Sequence, residues 1–408
     1  MTVPVRRFLL DLTPLRKHRD FRLLFIGQWV SAFGSFMTYV ALPVQVYQLT
    51  RSSTAVGLVG VVQLIPLVAT ALWGGAVADA IDRRRLLLGS EALLLLGSLA
   101  LLGNALLPEP SVAALFVIAA FMSAVNGFHT PALQAMTPRL VGADEQASVA
   151  ALMSLRGTSA AIVGPALAGV CIAAFGASVT YAIDAATFAV SLVAIAQIRA
   201  MPPSEGAPRI GLASVLEGLR YAAARPVLIG TYAVDIIAMT FAMPMAVFPA
   251  LGERYGGVNA AGYLFAALSV GSLLMTLTSG WARHVRRQGA AVLVSAAIWG
   301  MAIVGLGFAD SLFAALLWLA LAGAADMASG VFRMTIWNET IPTGLRGRLA
   351  GIEQLSYMSG PLLGNARAGL MAERIGLMPS IIWGGLLCVG GMAACRLALP
   401  QFWHFRKR

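Results

Sequence analysis

Charged residues are scarce in this sequence. Only 12% of its 408 residues are Asp, Glu, Lys or Arg, whereas 59% are hydrophobic, and the mean hydropathy is +0.80. Soluble globular domains carry about 25% charged residues, so this chain needs a solvent other than water. Apolar runs recur that are long enough to cross a bilayer core of roughly 30 Å as helices. Because these runs are continuous rather than alternating, they favour helices over a β-barrel.

Lysine and cysteine are nearly absent, and each scarcity excludes a class of protein. The two lysines are Lys17 and Lys407, so the sequence has no Gly-Lys-[Ser/Thr] loop for an ATP-driven pump. The three cysteines, Cys171, Cys388 and Cys395, lie in apolar runs without the spacing of a zinc site or a disulfide framework. The sequence also shows no converging set of catalytic side chains, so we predict no enzyme, no cofactor and no metal site.

Twelve transmembrane helices are predicted, separated by short polar or glycine-containing breaks. Their expected spans are 21–49, 55–78, 86–106, 112–135, 147–174, 177–198, 226–251, 258–281, 289–309, 311–333, 350–373 and 378–398. The expected fold is therefore an all-α integral membrane protein.

One long connection divides the chain into two sets of six helices. We predict an N-terminal half at 1–198, a cytoplasmic linker at 199–225 and a C-terminal half at 226–408. Within the linker, apolar residues at 212, 215, 216 and 219 have the spacing of an amphipathic helix that lies on a membrane surface. Short matches about 200 residues apart, such as Gly164-Pro165 and Gly360-Pro361, indicate two pseudo-symmetric halves.

The formal charge of +11 is distributed unevenly across these helices. Of the 29 basic residues, 24 fall on one side of the predicted membrane, and this count places Arg333 at the cytoplasmic end of predicted helix 10. Only Arg51, Arg254 and Arg374 fall on the other side. Basic loops remain in the cytoplasm. The charge therefore predicts cytoplasmic termini and contact with anionic lipid heads, and not nucleic-acid binding. The bacterial inner-membrane location is an expectation that goes with the family resemblance described below.

A signature follows predicted helix 2. Gly75, Asp79, Arg83 and Arg84 match the pattern G-x-x-x-D-[RK]-x-G-[RK]-[RK], while its first basic residue and second glycine are not met. This segment resembles the loop signature of the major facilitator superfamily. The resemblance implies two six-helix halves and a gate in which Asp79 faces the start of helix 11. A solvated turn with topology-setting arginines is the alternative.

Predicted helix 5 contains a second signature. Gly157, Gly164, Pro165 and Gly169 resemble the Gly-Pro motif of antiporter branches of this superfamily, with Ala168 as a departure. Ordinary packing of small residues is the alternative.

Short matches along nearly the whole chain, among them 15–22, 104–110 and 344–348, are similar to the branch that contains siderophore (enterobactin) exporters. The resemblance implies a monomeric exporter of a small amphipathic molecule, driven by proton antiport with alternating access. The alternatives are a broad-specificity drug efflux transporter, an importer of a small solute and a non-transporting receptor.

Ionisable residues at membrane depth are costly and therefore suggest function. Asp235 in predicted helix 7 and Asp326 in predicted helix 10 are the predicted proton carriers, because the family places these helices around the cavity and burial favours the neutral carboxyl. A structural hydrogen bond is the alternative for each.

Four further residues are predicted to face the substrate: Gln28, Gln63, Arg156 and Glu353. Arg156 offers a planar fork to an anionic oxygen or a partner to a carboxylate, and Glu353 is equally suited to a gate pair with Arg367. Asp184 and His129 are expected to have structural roles.

Overall fold

The computed structural model describes residues 11–202, 220–342 and 346–407, without the side chains of 72–76, 78, 79, 143, 346–348 and 350–355. These ranges contain long helices and no strand. The long helices are α1 (Arg19–Thr50), α2 (Ser53–Ala80), α3 (Arg83–Ala105), α4 (Val112–Met136), α5 (Gln146–Phe175), α6 (Ala177–Ala196), α7 (Pro226–Ala242), α8 (Val258–Thr278), α9 (Gln288–Gly307), α10 (Leu312–Thr340), α11 (Arg346–Ile375) and α12 (Leu377–Ala398).

Eleven segments in the described ranges are long and apolar enough to cross a membrane. The twelfth long helix, α11, has 30 residues and a more polar composition. The predicted all-α membrane fold is therefore confirmed, with a helix count close to the predicted twelve.

Two predicted helix boundaries are wrong. Helix α10 continues to Thr340, so Arg333 lies inside it with 5% of its surface exposed, and not at a cytoplasmic helix end. A buried arginine is tolerated there because it pairs with Asp235 on α7. The predicted span 226–251 is also broken: α7 ends at Ala242 and the chain resumes as a short helix at Phe248–Tyr255.

The break after α7 follows from Pro244, which has no backbone N–H to continue a helix. A single turn of 3-10 helix at Met245–Val247 fills the gap. The side-chain oxygen of Asn365 on α11 accepts a hydrogen bond from the backbone N–H of Ala246 at 3.1 Å. Since an unpaired buried N–H is costly, this contact holds the irregular backbone in place.

The two sets of six helices have matching helix caps and matching connecting glycines about 200 residues apart. Ser111 caps α4 and Ser311 caps α10, each accepting a hydrogen bond from the third following backbone N–H. Gly176 and Gly376 connect the next helix pairs with φ angles of 80° and 96°, which glycine adopts without strain. These pairs agree with the predicted repeat. The predicted amphipathic segment of the linker lies outside the described residues, so the domain division stays a prediction.

Helices of the two halves pack as α2 against α11 and α5 against α8. A Cβ atom on Gly60 would lie 2.7 Å from the carbonyl oxygen of Leu362, and one on Gly169 would lie 3.1 Å from the Cα of Gly262. Small residues allow this close approach between membrane helices.

Polar contacts between the halves lie at the end of the bundle where α1 ends and α2 begins, here called the distal end. Arg51 pairs with Glu253, and the Ser52 hydroxyl donates to Glu373 at 3.1 Å. The Thr54 hydroxyl donates to the carbonyl oxygen of Gly369 at 3.2 Å. In the described part of the chain, these contacts hold the two halves together at the distal end.

Candidate functional site

A cavity of about 380 Å³ lies between the two halves. Its volume falls in the lower part of the range for small-molecule sites. Aliphatic side chains form much of the lining, and thioether, aromatic and amide side chains from both halves join them, among them Met122, Met245, Met358, Tyr39, Phe188, Phe265, Gln63, Asn126 and Asn365. Among the described lining residues, Asp184 is the one carboxylate. The cavity therefore suits a largely apolar molecule with a few hydrogen-bonding groups.

The four residues predicted to face the substrate are found in different places. Gln63 lines the cavity. Gln28 and Arg156 are absent from its described lining and contact each other, with the Arg156 guanidinium donating to the Gln28 side-chain oxygen at 3.4 Å. The side chain of Glu353 lies outside the described residues.

Glu91 on α3 is the centre of a buried group of polar residues, here called the Glu91 group. Its Oε1 accepts hydrogen bonds from the Gln28 amide on α1 and from Nε2 of His129 on α4, the latter at 2.9 Å. The Gln28 amide also donates to the Ser191 hydroxyl on α6 at 3.1 Å. Glu91 is 0% exposed. Four helices of the N-terminal half, with Arg156 on α5, therefore enclose one carboxylate.

Asp184 on α6 is a second buried carboxylate of the same half. Its Oδ2 accepts hydrogen bonds from the hydroxyls of Thr38 and Ser98, each at 2.7 Å. Seven residues, or two helical turns, separate Ser98 from Glu91 on α3 and Asp184 from Ser191 on α6. The two carboxylates therefore lie along one polar seam between α1, α3 and α6.

The C-terminal half contains a different arrangement, here called the Arg333 group. The Arg333 guanidinium pairs with Asp235 on α7 and lies 3.9 Å from a carboxylate oxygen of Asp326 on its own helix. The Ser356 hydroxyl donates to Asp235 at 3.2 Å. The Asp235 side chain is 5% exposed and that of Asp326 is 41% exposed. Asp235 is therefore fully committed to its partners, whereas Asp326 is not.

Two small cavities of about 10 Å³ each flank the pair of Asp235 and Arg333. Each volume matches the room of about one water molecule. One reaches Tyr357 on α11, and the other reaches Asp326. The sequence-predicted carboxylates therefore share one site with an arginine that lies between them.

The superfamily signature contacts its own half in the described residues. Arg84 donates to the carbonyl oxygens of Ile195 and Ala196, at the C-terminal end of α6, and Arg83 is buried. Asp82 accepts hydrogen bonds from the backbone N–H groups of Arg85 and Met201. The surroundings of Gly75 and the side chain of Asp79 lie outside the described part of the structure. The predicted latch to helix 11 therefore stays a prediction.

The predicted antiporter motif divides into packed and open positions. A Cβ atom on Gly164 would lie 2.7 Å from Cβ of Phe36 on α1, and Gly169 packs against α8. Pro165 lies inside α5, and its carbonyl oxygen also faces Gly262. Gly157 has open space at the Cβ position. Three of the four residues therefore set how closely α5 packs.

Arg367 on α11 was considered as a gate partner for Glu353. Its guanidinium donates to the carbonyl oxygens of Thr240 and Ser380, at 3.3 and 3.2 Å. It thus bridges the C-terminal end of α7 to α12. These bonds satisfy the arginine within the C-terminal half.

Sequence reasoning missed Glu91 and Arg333. Glu91 was available as an isolated carboxylate within the apolar run of predicted helix 3. Arg333 follows Asp326 by seven residues, which places both on one face of a helix. Neither observation identifies the partner on another helix. His129, which was expected to have a structural role, contacts Glu91.

The family follows from comparison with known proteins. A family model described as transmembrane secretion effector, within the major facilitator superfamily, matches residues 10–405. The chain belongs to this family. Enterobactin exporters EntS of Escherichia coli (strain K12) and of Shigella boydii serotype 18 are each 29% identical over 405 residues, covering 98% of this chain and 96% of theirs. The chain is therefore a membrane transporter of a small molecule and not an enzyme.

Solved structures show the same fold at low sequence identity. The nucleoside transporter NupG has a TM-score of 0.76 and 13% identity, covering 95% of this chain and 99% of its own. A POT family transporter in complex with 5-aminolevulinic acid has a TM-score of 0.73 and 13% identity, covering 94% and 97%. The arrangement of helices is therefore that of the major facilitator superfamily.

Proposed function

We propose that this protein exports a small amphipathic molecule of the siderophore type across the bacterial inner membrane by antiport with protons. The similarity to enterobactin exporters over nearly the whole chain carries the proposal. The cavity between the two halves supports it, because this superfamily moves its substrate through such a site. The transporter acts as a monomer, and both termini face the cytoplasm.

Alternating access is supported by the contacts between the halves. The exposed ion pair of Arg51 and Glu253 is worth at most about 1 kcal/mol, so the distal closure is reversible. Asp79 is proposed to act in the opposite closure, at the cytoplasmic side, through the N-terminal end of α11. A carboxylate at a helix N-terminus gains about 0.3–1 kcal/mol when exposed.

Export is tested by deleting the gene under iron limitation in the native host. We expect extracellular siderophore to fall severalfold and the intracellular pool to rise, because the cargo has lost its path outward. Complementation with Glu109→Gln, an exposed loop position, should restore secretion as fully as the wild type. Intracellular and extracellular siderophore are measured by chromatography. An unchanged ratio of the two pools would contradict the proposed cargo.

Broad-specificity drug efflux is the second candidate, and the cavity lining favours it. Asp184 is the one carboxylate of the described lining, and Arg156 lies in the Glu91 group instead. A methionine-rich lining adapts to varied shapes. Unchanged siderophore secretion together with greater ethidium accumulation in the deletion strain would support this candidate.

The membrane orientation is tested by cysteine labelling in a background without native cysteines. We expect Glu109→Cys to react with an impermeant maleimide in intact cells and Arg85→Cys to react only after permeabilisation, because the basic loops stay inside. Both side chains are exposed, so accessibility within the protein is matched. Labelling is read as a mass shift on a gel. Reaction of Arg85→Cys in intact cells would reverse the proposed topology.

A further inference from the structure

We propose that Glu91 and His129 form a proton-binding site in the N-terminal half, separate from the Arg333 group. The inference rests on the proposed proton antiport and names a second place where a proton is held. Glu91 lies on α3 and His129 lies on α4. Neither residue was among the predicted proton carriers.

The geometry of Glu91 carries the proposal. Its Oε1 receives the hydrogen bonds of Gln28 and His129, whereas Oε2 is buried and has no hydrogen-bond partner among the described residues. A buried carboxylate oxygen without a hydrogen-bond donor is unfavourable, most of all when the group is charged. A proton on Oε2 removes the charge, and the unpaired oxygen atom thus marks the position where a proton binds.

His129 gives this carboxylate an imidazole partner, a side chain that can accept and release a proton. The ring lies 2.9 Å from Glu91 through Nε2, and its side chain is 14% exposed, while Glu91 is 0% exposed. Asn126, one helical turn away on α4, lines the central cavity. The imidazole is therefore the more accessible member of the pair and can pass a proton to the carboxylate.

The charges around the pair define two states. A single proton on the pair, on either residue, leaves it neutral overall, and its loss leaves one negative charge. Arg156 on α5 places a positive charge at the group through its hydrogen bond to Gln28, and Asp184 on α6 lies two turns further along the seam. Deprotonation therefore strengthens the attraction between α3 and Arg156, and protonation weakens it.

Helix α5 transmits this change to the other half. It carries Arg156 at the Glu91 group, and Gly169 near its other end packs against Gly262 on α8. A change in how tightly Arg156 is held thus acts on the helix that contacts the C-terminal half. Helix α5 therefore connects proton binding at the Glu91 group to the interface that must rearrange during alternating access.

The test is an infrared pH titration of the purified protein in lipid nanodiscs without any cargo. We expect the protonated-carboxyl signal of the wild type to contain a component from Glu91 that disappears as the pH rises. Glu91→Gln should lose this component, whereas Asp184→Asn and the exposed control Glu109→Gln should retain it. His129→Gln keeps Glu91 and should raise the midpoint of this component, because the imidazole no longer competes for the shared proton.

The outcomes separate this site from the proposed function. If the spectra of the wild type and Glu91→Gln show the same titrating carboxyl components, or if His129→Gln leaves the midpoint unaltered, the site is overturned. If Glu91→Gln does not fold, the midpoint in His129→Gln decides alone. The titration requires no transport, so a failed secretion assay leaves it interpretable, and a failed titration leaves the export proposal intact.

Discussion

Replacement of Arg333 by methionine should nearly eliminate folded protein. The substitution retains most of the side-chain volume but leaves Asp235 buried without its cation. Removing one member of a buried ion pair costs about 3–5 kcal/mol, a large part of the 5–15 kcal/mol that stabilises a typical protein. The yield of monodisperse protein and its Tm in detergent measure the effect.

Two controls identify the cause. Arg333→Met combined with Asp235→Asn removes both charges and should recover much of the yield, since no buried charge is then uncompensated. Arg283→Met changes an exposed arginine and should leave the Tm unaltered. A wild-type Tm in Arg333→Met alone would contradict the stabilising role of this ion pair.

The fold was predictable because it depends on composition along the chain. Apolar run lengths and the scarcity of charge indicate the number of helices. That number does not change when a predicted boundary is wrong by several residues. The two wrong boundaries have local causes. Arg333 was interpreted as a helix end because its partner, Asp235, is almost a hundred residues away in sequence. The break at Pro244 depends on Asn365, which no local pattern identifies as its partner.

The buried polar groups were less predictable, since they depend on which helix faces meet. Gln28 was predicted to face the substrate from its position in helix 1, but its amide contacts Glu91 and Ser191 instead. Asp184 was expected to have a structural role, and it is both hydrogen-bonded and part of the cavity lining. Spacing along one helix gives a face, but the facing helix comes only from tertiary packing.

The largest functional effect is expected at Asp326. Asp235 is held by both Arg333 and Ser356. Asp326 lies 3.9 Å from the same guanidinium, is 41% exposed, and borders a cavity of about 10 Å³ that reaches Asp235. A proton carrier needs access and a partner that can be exchanged. Of the two predicted carriers, the geometry favours Asp326.

Asp326→Asn should therefore reduce transport driven by a pH gradient to the level of protein-free vesicles and leave counterflow exchange unaltered. Exchange needs the alternating movement but no net proton transfer, so its survival separates lost coupling from lost folding. The measurement uses proteoliposomes with an imposed pH gradient and the cargo identified in the secretion assay. Asp310→Asn, an exposed loop carboxylate, is the matched control and should behave as the wild type. Full gradient dependence in both Asp326→Asn and Asp235→Asn would exclude the Arg333 group as the coupling site. Among the described residues, Glu91 and Asp184 on the polar seam would then be the next carboxylates to test.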